Sequence, residues 1–159
     1  MLTPPSGSIG APSSAAVPTT ATFEVDANLI DLQGPLSFSP SLSVPVTGFL
    51  TTRLVSQGDI RFLPTPAIQQ GTTLLSAWDI ELDGAQIYPT TGAVANIVAG
   101  QRNRDYDGTL TFGRTTSSVP DMPMSAFGTL TISAPNIRQG GILRAPLGRL
   151  IFGRTDAAV

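Results

Sequence analysis

The chain has 159 residues, a formal net charge of -2 and only 13% charged residues. That length suits one domain with a sizeable core, and so sparse a charge leaves no basic footprint for nucleic acid. All nine cations are arginine, with no lysine, histidine or cysteine, which excludes a Ser-His-Asp triad, a cysteine nucleophile, a Schiff-base or phosphate-loop lysine, and a His/Cys zinc site.

Residues 1–22 are mostly Pro, Ser, Ala, Thr and Gly with almost nothing to bury, so they read as a linker or disordered end. Neither the basic start nor the apolar run of a signal peptide is present in "MLTPPSGSIGAPSSAAVPTTATF", and we expect no export or anchoring signal here. The longest apolar stretch, "GAVANIVAG", is far below the ~20 residues of a membrane span.

Residues 23–159 alternate apolar and polar positions between Gly, Pro, Asn and Asp breakers, without helical spacing, which predicts an all-β chain. A short phrase recurs as "NLIDL", "GDIRF", "WDIEL", "GTLTF", "GTLTI" and "GRLIF". Its first apolar residue falls at Ile30, Ile60, Ile80, Leu110, Leu130 and Leu150, in steps of 30, 20, 30, 20 and 20. Strand alternation turns these residues inward and puts Asp59, Arg61, Asp79, Glu81, Thr109, Thr111, Thr129 and Thr131 on the other face. Ile151 breaks the pattern and points to a second covered face.

The phase predicts a coiled stack of strands that turns once per ~20 residues, in which equivalent residues lie ~4.8 Å apart. Ile60, Ile80, Leu110, Leu130 and Leu150 would then form one column. The 30-residue steps read as insertions, with "GAVANIVAG" an added strand and "QRNRDYDG" a polar loop leaving the stack. Ile87 and Ile137, each seven residues after a phrase, imply more than one sheet face per coil. A jelly roll or sandwich is the competing architecture.

Three groups of side chains invite a functional reading. Asp79, Glu81 and Asp83 share one outward face and would serve as acid and base on a polysaccharide or as calcium ligands, against the default of a solvated face. In "RNRDYDG", Asp105 and Asp107 stand beside Arg102, Arg104 and Tyr106; the terminal glutamate of a calcium loop is missing, and a self-compensating turn is the better reading. Trp78, Tyr88 and Tyr106 offer rings for a sugar, but Trp78 and Phe127 both precede a strand, where packing at a corner is the plainer role. We assign no catalytic, cofactor-binding or metal residues, and expect no cofactor and no enzyme activity.

The segments "AQIYPTT" (85–91), "LLSAWDIELDGAQIYP" and "MSAFGTLTISAPNIRQGGILRAPLGRLIFG" (124–153) resemble the filamentous haemagglutinin family of very large bacterial exoproteins, in a later, uncharacterised domain. The resemblance covers about residues 56–153. It implies a right-handed parallel β-helix, a secreted or cell-surface rod used in adhesion, and export through an outer-membrane partner in two-partner secretion. The implied partners are flanking coils of a parent protein, that secretion partner, and a host-cell or glycan surface. A polysaccharide-acting β-helix enzyme or a phage-like tail-spike domain is the alternative.

Overall fold

A computed structural model describes residues 20–38, 49–66, 71–100 and 107–153. Among them lie thirteen strands and no helix. The chain winds through three strands per turn, and each strand pairs in parallel with its counterpart one turn away. The first coil holds β1 (Thr22–Ala27), β2 (Ile30–Leu32) and β3 (Pro35–Ser37), and the second β4 (Thr51–Ser56), β5 (Ile60–Phe62) and β6 (Thr72–Ser76). The third holds β7 (Asp79–Asp83), β8 (Ile87–Pro89) and β9 (Val94–Ala99). The fourth has only β10 (Thr109–Gly113) and β11 (Thr129–Ser133), and the fifth β12 (Asn136–Gln139) and β13 (Arg149–Gly153).

Three sheets result: A, ordered β1-β4-β7-β10-β12; B, ordered β2-β5-β8; and C, ordered β3-β6-β9-β11-β13. Every pairing is parallel. This is the strand order of a parallel β-helix, the coiled stack that the phase predicts and the architecture that the resemblance implies, and it rules out the antiparallel jelly roll or sandwich.

Coil length and column membership differ from the sequence reading. In sheet A, Thr22 pairs with Thr51, Thr51 with Asp79, Ile80 with Leu110 and Thr109 with Asn136, so a turn takes 29, 28, 30 and 27 residues rather than about 20. A 20-residue turn occurs where Leu130 pairs with Leu150. The five residues expected in one column divide among three sheets: Ile60 in B, Ile80 and Leu110 in A, Leu130 and Leu150 in C. Strands of all three sheets carry the same wording, because each alternates against the same core; sequence spacing alone does not say which sheet a phrase belongs to. The 30-residue steps, read as insertions, are the true turns: Ile30 stacks on Ile60 and Ile80 on Leu110. "GAVANIVAG" forms β9, a regular member of sheet C and not an added strand.

The inward residues build one core. Leu54, Leu82 and Phe112 line sheet A, Ile60, Phe62 and Ile87 line sheet B, and Leu74, Ile97, Leu130 and Ile132 line sheet C, all buried. Each such side chain contributes on the order of 1.5–3 kcal/mol by leaving water. Thr52 interrupts the pattern: it faces inward between Phe23 and Ile80, fully buried, and its Oγ1 has no hydrogen-bond partner.

The corner between sheets A and B repeats from coil to coil. Gly58 donates to the Asn28 carbonyl (2.9 Å) and Ala85 to the Gly58 carbonyl (2.8 Å). A Cβ on Gly58 would sit 2.7 Å from the Asn28 oxygen, so the close backbone stacking here requires glycine.

The two ends of the stack are finished differently. At the first coil Phe23, Phe38 and Phe49 form an aromatic cluster, with ring centroids 4.7–6.2 Å apart. At the fifth, Leu150 and Phe152 share the inward face with Leu130 and Ile132 but remain 40% and 50% exposed.

Candidate functional site

The charged side chains of sheets A and B lie on outer faces, and register places them in columns across coils. On sheet A, Glu24, Arg53, Glu81, Thr111 and Arg138 follow one another strand by strand. Arg53 joins three coils: its Nη1 meets Glu24 at 2.6 Å, its Nε meets Glu81 at 3.3 Å and its Nη2 meets Asp83 at 3.3 Å. Burial opposes the charge on Arg53, but Glu24, Asp83 and Glu81 together outweigh it and raise its pKa.

The acids singled out in "DIELD" are therefore engaged in holding coils together. Glu81 and Asp83 bind Arg53, and an Asp79 carboxylate oxygen accepts the backbone N–H of Thr109 at 2.7 Å, tying the third coil to the start of β10. Asp107 stands exposed just ahead of β10. Asp105, Arg102, Arg104 and Tyr106 lie outside the described residues. Among the described residues no group of three or more His, Cys, Asp or Glu side chains is placed to hold a metal ion.

Sheet B carries a second network. Arg61 grips Asp31 of the coil below with two bonds of 2.7 Å. The hydrogen bond from Arg61 holds the Asp31 carboxyl below its usual range, and the same bond raises the pKa of Arg61. Tyr88, next in that column, is buried and bonded to Asp59 and Arg61; burial foremost, then the bond to Asp59, push its hydroxyl above its ordinary value. It is therefore closed to stacking on a sugar. Gln86 donates to Asp59 (3.2 Å) and to the Asp121 carbonyl (3.3 Å).

The segment 114–128 takes the place of the missing sheet B strand of the fourth coil and forms a strap bonded to residues at the borders of that sheet. Thr115 donates to the Ser56 carbonyl at 2.7 Å, Ser125 to that of Pro89 at 2.8 Å, and Arg144 to that of Pro120 at 3.0 Å. The fifth coil thereby pairs directly with the third: Leu143 forms a parallel bridge with Ile87. The strap points Val119, Met122 and Met124 into solvent, a feature the sequence reading missed because "SSVPDMPMS" carries no strand pattern.

Trp78 is buried, as a corner residue should be, whereas Phe127 is 70% exposed and adopts a φ of 61°. The expected equivalence of the two therefore fails: Phe127 sits where the strap rejoins the stack, with its N–H bonded to the Pro146 carbonyl at 3.1 Å. Ile151, half-buried, stands beside Thr131 on the outer face of sheet C.

These features define a parallel β-helix whose outer charges bind coil to coil. No family model, curated protein or solved structure matches the chain. No helix among the described residues is long and apolar enough to cross a membrane.

Proposed function

We propose that the chain is a non-catalytic, stiff segment of a large secreted or cell-surface bacterial exoprotein of the filamentous haemagglutinin kind, exported by two-partner secretion and used for attachment. The observation that carries this reading is the use made of Asp79, Glu81 and Asp83. Each is tied to a neighbouring coil by an ion pair or a backbone bond, an arrangement suited to stiffness rather than to proton transfer. Continuous parallel pairing resists bending along the axis, and because each coil contacts mainly its neighbours, length grows without a larger core. The strap, with Val119, Met122 and Met124 outward, is the irregular element on a regular scaffold and the place where a partner surface would be met.

The test immobilises the full chain on beads and measures attachment to epithelial cells and a glycan array under flow, alongside an assay for reducing ends released from polysaccharides. Attachment that falls in M122D/M124D, with no sugar released, is the expected result. Sugar release abolished by E81Q would replace the reading with the polysaccharide-acting alternative.

A further inference from the structure

Charge is segregated along the axis of the stack. Residues 20–38, the first coil, carry Glu24, Asp26 and Asp31 and no arginine; residues 136–153, the fifth coil, carry Arg138, Arg144 and Arg149 and no acid. Between them, arginines of the second coil bind acids of its neighbours: Arg53 to Glu24 below and Glu81 above, Arg61 to Asp31. Arg138 continues the Arg53 column, and among the described residues neither Arg138 nor Arg149 takes part in an ion pair. The fifth coil also leaves Leu150 and Phe152 half-exposed, and among the described residues β12 and β13 pair on one side alone. Among the described residues β1, β2 and β3 likewise pair on one side alone.

We infer that the fifth coil of one copy of this chain takes the first coil of a second copy as its next turn, forming polar head-to-tail fibres. Extending the register across the junction places Glu24 of the second copy after Arg138, repeating the Glu24–Arg53 pair within the chain. On sheet B, Arg144 follows Leu143, which bridges Ile87, so Asp31 of the second copy falls beside Arg144. Leu150 and Phe152 would gain a covering rung. Such a junction joins two different surfaces and does not close on itself, so it propagates. It rests on the chemistry of the first and fifth coils and is a junction this chain makes on its own; within the longer exoprotein proposed above, flanking coils would take the same two faces.

The chain contains no cysteine, which permits a direct test on the full chain. Thr22 and Asn136 are exposed strand residues of the first and last sheet A strands, and extended register sets them opposite each other across the junction, at about the Cα separation a disulfide needs. T22C and N136C are made separately, mixed and oxidised. The expected result is a heterodimer linked between the two variants, little linkage of either alone, and linear oligomers for unmodified chain in sedimentation velocity. R138E/R149E, altered at exposed ends of strands, should weaken association by at least about tenfold through like-charge opposition to the acidic first coil, and 1 M salt should act in the same direction. A chain that stays monomeric, an N136C homodimer showing tail-to-tail pairing, or assembly indifferent to R138E/R149E would overturn the proposal.

Discussion

Ile80 and Leu110 stand in register on neighbouring parallel strands, thirty residues apart in the chain and both fully buried. That single pairing carries the length of a coil, the direction of its strands and the position of the core.

Core position and stack end should differ sharply in cost. Leu110→Ala empties a site enclosed by coils on both sides and should destabilise by about 2–5 kcal/mol. Leu150→Ala, on a residue already 40% exposed, should cost less than about 1 kcal/mol. Urea unfolding of the two variants measures the difference, and equal losses would mean that the fifth coil is covered.

Thr52→Val is expected to stabilise. The hydroxyl is buried without a partner among core side chains, and valine keeps its shape while removing the unpaired polar atom, a gain on the order of 1 kcal/mol. A lower melting temperature in this variant would reveal a bond to Oγ1.

Stability should depend on pH at both extremes through sheet B. Asp31 has its pKa lowered from 3.8 in the folded chain by the Arg61 hydrogen bond, so its contribution is present above the unfolded value and is lost as pH falls through the folded one. Tyr88 is raised above 10.0 by burial and by Asp59; its contribution is complete below 10 and lost as pH rises through the folded value. Melting temperature against pH should thus fall on the acid side below about 4 and on the alkaline side above about 10. Asp31→Asn should flatten the acid limb and Tyr88→Phe the alkaline one.

Arg53→Ala should cost about 0.5–1 kcal/mol, since its pairs are partly exposed and screened by water. Most of that loss should vanish in 1 M salt. A salt-independent penalty would mean that the aliphatic stem of Arg53, not its charge, holds the coils.

Inward and outward positions were legible in the sequence because strand alternation is local: Ile60, Ile80, Leu110 and Leu130 all face the core as expected. Parallel winding was legible too, through recurrence of one phrase. Coil length was not, because Leu110 in sheet A and Leu130 in sheet C present the same five-residue wording to one core, and their separation of 20 counts a passage between sheets, not a turn. The outward carboxylates were placed on the correct face, but their engagement with Arg53 depends on a residue 28–30 positions away, which only the true turn length brings near. The strap left no trace, since side-chain bonds to backbone carbonyls across coils fix it and its own residues follow no period.

Turn length is tested most directly by two engineered cysteine pairs in the cysteine-free chain. Glu81→Cys with Thr111→Cys joins outward residues paired in register thirty positions apart; Thr111→Cys with Thr131→Cys joins residues twenty apart, on sheets A and C. Mild oxidation should form an intramolecular disulfide in the first pair and none in the second. Ready closure of the second pair, with the first left reduced, would contradict a helix of three sheets and restore the 20-residue coil.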